Sequence, residues 1–279
     1  MSYKIIVDSC GELTEDMKAS GYFETASLEI DVAGRHIIDD ESFDQAGFLK
    51  LVASSPECPK SSCPSPERYM QGYCCDADHV YAVTLSAELS GSYNSAMLGK
   101  NLYHEEHGEK DIYVFNSRSA SVGETLIAMK IAECEEKGME FQDIVDEVEA
   151  YIAQQDTYFV LETLETLRKN GRLTGLKAIV ATALNIKPVM GATADGVIKQ
   201  LGQARGVIPE LRLCHQHLFH IFRSVRAVAM GNRQYLILGI LQILHHVIRH
   251  LHQRFLDSSG LSQLLDHSIR SSAHNRLDV

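Results

Sequence analysis

The sequence predicts an α/β protein of two domains, residues 1–158 and 159–279, the first built on a doubly wound, mainly parallel sheet. Two observations carry this reading. Short apolar runs of strand length alternate with amphipathic segments of helical spacing from Tyr3 to about Leu161. Each long apolar run also ends in a polar cluster, as expected where the strands of such a sheet open onto a ligand crevice at their carboxyl ends.

Taken in order, Tyr3 to Val7 is the first apolar run, and it gives way to Asp8, Ser9, Cys10 and Gly11, so a buried strand opens into a loop. Thr14 is a favoured N-cap type, with Glu15 and Asp16 in the first turn where carboxylates meet the positive end of the helix dipole. Leu28, Ile30 and Val32 alternate with polar neighbours, predicting a strand that turns at Gly34 into Arg35 to Ile38. Phe48, Leu49 and Val52 predict a helix over Asp44 to Ser54. Pro56, Pro59 and Pro64 then keep the chain out of helix until Ser65, an N-cap type followed by Pro66 and Glu67. A hydroxyl-rich loop, Lys60 to Ser65, thus runs directly into a helix whose first N–H groups have no intrahelical partner. That is one jaw of a site for an oxyanion or carboxylate, or else a well-capped loop.

Val80 to Leu85 is the next strand, followed by the polar stretch Ser86 to Asn94 and a helix through Ala96, Met97, Leu98 and Leu102. Ile112 to Phe115 ends at Asn116, Ser117 and Arg118, before a helix through Ile127, Met129, Ile131 and Ala132. A further amphipathic helix, Phe141 to Gln155, precedes a strand at Tyr158 to Leu161. Beyond it Leu164 and Leu167 lead to Asn170, Gly171 and Arg172, then to a helix through Ile179, Val180 and Leu184. Ile186 to Met190 and Val197 to Leu201 flank Ala194, Asp195 and Gly196, a hairpin with an Asp-Gly turn. Arg172 is placed either to bring a guanidinium to an anion held by the first domain or to serve as a helix-terminus surface charge.

Composition narrows the function. At 279 residues and 45% hydrophobic content the chain buries a sizeable core, and a net charge of −11 argues against a nucleic-acid protein or a polyanionic ligand. The seven cysteines, Cys10, Cys58, Cys63, Cys74, Cys75, Cys134 and Cys214, include no Cys-x-x-Cys pair and read as reduced thiols. The opening residues lack the pattern of a signal peptide, so a cytoplasmic location is expected. No dinucleotide fingerprint or P-loop is present.

The ordered set Ile6-Val7-Asp8-Ser9, Ser61-Ser62-Cys63-Pro64-Ser65, Leu89-Ser90-Gly91-Ser92-Tyr93-Asn94-Ser95-Ala96 and Gly171-Arg172-Leu173 resembles the DegV family. Asn185 to Pro188 and the Asp195-Gly196 hairpin extend the likeness over residues 1–205. The resemblance implies a DegV-like pair of domains, the second with a mixed sheet, and a bacterial fatty-acid-binding carrier rather than an enzyme. It has no cofactor beyond the bound fatty acid, and in some members the acyl chain is presented to a fatty acid kinase. By position it puts the acyl carboxylate on Ser61 or Ser62 and on Ser90 or Ser92 around Gly91, with Asp8, Ser9 and Arg172 beside them. Family members usually read Thr-Ser-Gln-Pro-Ser in the first jaw, so Ser61 keeps a hydroxyl while Cys63 loses an amide. A serine-dependent hydrolase acting on a small ester or acyl substrate is the alternative, although no Gly-x-Ser-x-Gly elbow surrounds Ser90 or Ser92.

After Gly206 the character changes. Residues 206–279 contain no lysine, eight arginines, four acidic residues and nine of the thirteen histidines. The tail carries +4 against −15 for the first 205 residues. Leu236 to Leu244 is apolar but shorter than the roughly 20 residues needed to span a bilayer, so the protein is not expected to cross a membrane. The basic stretch Arg223 to Arg254 also suits a membrane surface. His246 and His250, and the cluster of His215, His217 and His220, have no completing ligand set, and no metal is expected. So abrupt a shift points to a changed reading frame, the competing account being a diverged natural C-terminal domain. Translating the coding DNA in the other two frames is expected to restore a glycine-rich α/β ending past Gly206, and if neither frame does so the diverged domain stands.

Overall fold

A computed structural model of the protein describes residues 2–161, 165–172 and 186–205, all within one compact unit. In chain order the elements are β1 (Tyr3–Asp8), α1 (Glu15–Ala19), β2 (Phe23–Ala26), β3 (Glu29–Val32), β4 (Arg35–Ile38), α2 (Gln45–Ser54), β5 (Lys60–Ser62), α3 (Pro66–Tyr73) and β6 (His79–Thr84). There follow α4 (Ser92–His107), β7 (Asp111–Asn116), α5 (Val122–Glu136), α6 (Phe141–Ala153), β8 (Tyr158–Phe159), α7 (Glu165–Lys169), β9 (Ile186–Ala192) and β10 (Ile198–Arg205).

A parallel sheet in the order β2-β1-β6-β7 forms the centre. Both of its faces are covered, which is why all six residues of β6 are buried rather than alternating. Ile5, Val7, Tyr81, Val83 and Phe115 pack under α5 and α6 against Ile127, Ile131, Ile144 and Val148. On the other face Ile6, Val80, Ala82 and Val114 meet Tyr69 and Tyr73 of α3 and Ala96 of α4. Helices α3 and α4 approach closely at Gly99, where a Cβ would lie 2.5 Å from the Pro66 carbonyl oxygen. The chain steps outward in one direction from β1 to β2 and in the other from β6 to β7, so the topological switch point lies between β1 and β6.

Two small antiparallel sheets flank this core: β4-β3-β5 and β10-β9-β8. The Lys60 to Ser62 stretch is a strand, not a loop. Ser61 stands opposite Ile30 and Ser62 opposite Glu29, so this hydroxyl-rich segment is held by the ladder of β3 and not by an apolar pattern of its own. Strand β2 was also invisible in the sequence, because Phe-Glu-Thr-Ala is too short to show alternation. Helix α4 starts at Ser92, four residues ahead of the apolar signal, through residues that are weak helix formers. Strand β8 stops at Phe159. The caps Thr14, Asp44 and Ser65 each accept a hydrogen bond from the first turn of their helix.

The Asp195-Gly196 hairpin joins β9 and β10 antiparallel, with Gly196 at φ +91. Glycine is required there twice over, since a Cβ would also fall 2.9 Å from Arg118 Cα. Leu164, Leu173, Thr174, Gly175, Ile179, Val180, Leu184 and Asn185 lie outside the described residues, as does everything from Gly206 on, including Cys214, Arg223 to Arg254, Leu236 to Leu244 and the histidine clusters. The expectations of a changed reading frame and of absent metal in the tail concern that part. Among the described residues no helix is long and apolar enough to cross a membrane.

At the amino end of β6, remote from the carboxyl ends of the strands, Glu135 accepts from the Tyr81 hydroxyl at 2.7 Å and lies 2.8 Å from His79 Nδ1, all three groups buried. Replacing Glu135 with Ala orphans two polar groups at once and is expected to lower unfolding stability by about 2 to 4 kcal/mol. Denaturant titration reads this directly.

Candidate functional site

Asp8 ends β1 and is wholly buried. Its Oδ2 accepts from the backbone N–H of Leu85 at 2.8 Å and its Oδ1 from that of Cys10 at 3.1 Å, so one carboxylate ties the ends of β1 and β6 across the switch point. Burial raises the Asp8 carboxyl, with these N–H groups and the Ser92 hydroxyl pulling the other way. Ser9 is occupied in holding the chain: its Oγ accepts from Leu28 N–H at 3.0 Å.

The turn after β6 forms the second jaw. Leu89 and Ser90 donate their N–H groups to the Ser86 carbonyl, which brings Gly91 and Ser92 to the start of α4. Ser90 Oγ accepts from Ser92 N–H and donates to Ser92 Oγ, both at 3.2 Å. Ser90 is partly exposed and Ser92 wholly buried, its hydroxyl beside Asp8 and Tyr69. The first jaw abuts the second: a Cβ at Gly91 would lie 3.1 Å from Cys63 Sγ, and that sulfur stands 3.6 Å from Ser95 Oγ. Ser61 and Ser62 are both exposed on β5.

Arg172 joins the two jaws. Helix α7 ends with the Arg172 N–H bonded to the Leu167 carbonyl and the Gly171 N–H to that of Arg168, with Gly171 at φ +72, the Schellman pattern that needs a glycine. The chain reverses there and the guanidinium reaches Leu89 O at 3.0 Å and Ser61 Oγ at 3.4 Å. Asn170 on the other side of Gly171 donates to Pro59 O at 3.1 Å. The third polar loop, after β7, is used internally: Asn116 Oδ1 accepts from Ala87 and Arg118 N–H groups, and Ser119 O accepts from Ser86 N–H.

Two buried groups near Asp8 carried no signal in the sequence. Glu124, in the first turn of α5, is wholly buried with neither carboxyl oxygen hydrogen-bonded. Its position reads as an ordinary dipole-complementing carboxylate; only its place just after a polar loop at a strand end hinted otherwise. Burial, and next the charge of Asp8, push its carboxyl well above the usual range. Both carboxyls are raised, that of Glu124 strongly, and the Leu85 and Cys10 N–H groups at hydrogen-bond distance favour the negative charge on Asp8. Tyr69 of α3 is likewise wholly buried, and its hydroxyl lacks a hydrogen-bond partner.

What the arrangement suits is a carboxylate. Partly exposed hydroxyls, a helix start and one guanidinium converge, all of them donors. A cleft of about 620 Å³ beside Ser9 is lined by Glu12, Glu24, Asp39, Asp40 and Glu41 with Lys18 and Arg68, and its acidic character suits an anion poorly. Among the described residues no cluster of three His, Cys, Asp or Glu side chains is arranged to hold a metal.

Comparison with known proteins gives one consistent picture. The family model described as "Uncharacterised protein, DegV family" matches residues 2–226, so the likeness runs past Arg205, farther than the motifs alone carried it. A DegV domain-containing protein of Streptococcus pneumoniae is 33% identical over 235 residues, 84% of this chain and 83% of that protein. A solved DegV-family protein from Ruminococcus gnavus, refined with vaccenic acid, is 62% identical with a TM-score of 0.73, covering 76% of this chain and 75% of its own. The Fatty Acid Kinase (Fak) B3 protein of Streptococcus pneumoniae, loaded with linoleic acid, is 33% identical with a TM-score of 0.71 over 79% of each chain.

The raised Glu124 carboxyl sets a pH dependence. A protonated Glu124 contributes fully below the unfolded-state value, near 4.5, and that contribution is lost as pH rises toward the folded-state value. Unfolding stability of the wild type is therefore expected to fall relative to Glu124→Gln as pH rises above 4.5, read from denaturant midpoints over a pH series. Parallel pH profiles for the two proteins would contradict a raised Glu124 carboxyl.

Proposed function

Because the chain belongs to the DegV family, we propose that it is a lipid-binding carrier that holds a long-chain fatty acid by its carboxylate. The observation that carries this reading is the meeting of the β5 serines with the serine turn ahead of α4, with Arg172 bonded to both. Ser61 or Ser62 on β5 and Ser90 ahead of α4 are the anchoring hydroxyls, Gly91 lets the jaws close on each other, and Ser92, Asp8 and Ser9 act from behind. The carboxylate lies where Arg172, past the boundary at residue 158, meets the serine jaws of the first domain.

Physical chemistry supports the choice. A carboxylate held by hydroxyls, backbone N–H groups and one shared guanidinium is satisfied without a lysine-lined pocket, and the acyl chain gains by leaving water. The relatives carrying vaccenic and linoleic acids support the ligand class. The Streptococcus pneumoniae relative is named for a fatty acid kinase, which supports presentation of the acyl carboxylate to a kinase as the carrier's role. A serine hydrolase would need a base at Ser90 or Ser92. His36 and His79 are engaged with Asp31 and Glu135 instead, and His107 lies 3.5 Å from Cys74 Sγ.

Organic extraction of the purified protein followed by mass spectrometry is expected to release stoichiometric fatty acid. In the double variant Ser62→Ala with Ser90→Ala, the loss of two charge-assisted hydrogen bonds, about 1.5 to 3 kcal/mol each, should weaken acyl binding by at least about a hundredfold. A clean extract together with unchanged affinity in the double variant would sink the reading.

A further inference from the structure

The first jaw has little of its own to hold it against the second. Strand β5 is three residues long and stands at the edge of its sheet, paired only with β3, and both of its serines are exposed. Such a strand opens readily, since few bonds must part to free it. Downstream it is tied by Cys63, whose Sγ meets Ser95 Oγ at 3.6 Å. Its other ties come from the corner Asn170-Gly171-Arg172, where Gly171 at φ +72 reverses the chain.

The two side chains of that corner divide the task. Arg172 donates its Nε–H to the Leu89 carbonyl at 3.0 Å, which fastens the corner to the second jaw, and an Nη2–H to Ser61 Oγ at 3.4 Å. An acyl carboxylate seated on Ser61 and Arg172 only accepts, so it draws donors from both partners and competes for the bond between them. Asn170 has no such competitor. Its Nδ2 donates to the Pro59 carbonyl at 3.1 Å, and its Oδ1 accepts from the Cys58 thiol at 3.8 Å, both residues lying outside the set that anchors the ligand. A carbonyl needs a donor and the thiol proton an acceptor, and a primary amide carries both. An aspartate lacks the donor.

We propose that Asn170 is a positioning residue that latches the first jaw to the corner after α7 and slows escape of the bound acid, keeping Ser61 and Ser62 in place when the carboxylate displaces the Arg172–Ser61 bond. This rests on the fatty acid reading of the site. The effect falls on release, because without the latch the jaw opens more often while the acid is bound.

The test loads wild type, Asn170→Ala, Asn170→Asp and Thr166→Ala with an isotopically labelled long-chain fatty acid, follows its release into an excess of unlabelled acid, and compares amide hydrogen exchange. Thr166, exposed on α7, controls for damage to that helix. Both Asn170 variants are expected to release the acid about three- to tenfold faster, with faster exchange at β5 and unchanged exchange at β1 and β6, while Thr166→Ala alters none of these. Release at the wild-type rate in the Asn170 variants, faster release with β5 exchange unchanged, or equal acceleration in Thr166→Ala would each overturn the proposal. A wild type that takes up no labelled acid overturns the carrier reading itself, and this inference with it.

Discussion

The site depends on one buried carboxylate. Strands β1 and β6 are parallel neighbours whose connections leave in opposite directions, and nothing in a parallel ladder fixes the loops beyond its last bonds. Asp8 supplies that constraint by accepting from Leu85 and Cys10 N–H groups at once. Such an anion is tolerable without solvent because backbone donors face it and because burial and the charge of Asp8 itself hold the neighbouring Glu124 carboxyl well above the usual range, against a second charge.

The hydroxyls around the switch point fall into two kinds. Ser9, Ser86 and Ser117 bond to backbone and Ser119 pairs with the Thr157 hydroxyl, and so they hold loops in place. Ser61, Ser62 and Ser90 retain exposure, and among them Arg172 reaches only the Ser61 hydroxyl. Arg172 owes its position to backbone geometry, since Gly171 reverses the chain directly after α7. Residue type alone did not separate the two kinds. Both are small hydroxyls in polar stretches after strands, and the distinction lies in long-range partners.

Much of the scaffold was legible because local and global signals agree there. The apolar runs of β1, β6 and β7 are buried on both faces, the caps Thr14, Asp44 and Ser65 bond as their residue types predict, and Asp195-Gly196 forms its hairpin. The pieces that escaped depend on distant partners. Strands β2 and β5 exist through β1 and β3, and neither has an apolar rhythm of its own. Glu124 and Tyr69 look like a solvent-facing acid and a core aromatic, and only packing buries Glu124 beside Asp8 and Tyr69 beside Ser92.

The two jaws differ in what supports them. Ser90 stands on a turn braced by the central sheet, whereas Ser61 and Ser62 ride on β5, whose sheet joins α2, a helix with no buried residue. Local opening is easiest where little apolar surface is covered. The β3-β4-β5 flap therefore occupies a lower rung of local stability than the core beneath it, and its amides should exchange with solvent well before those of β1 or β6. One wall of the candidate site is thus a fixed anvil and the other a part that can yield by loosening a few strand bonds while the main core stays folded.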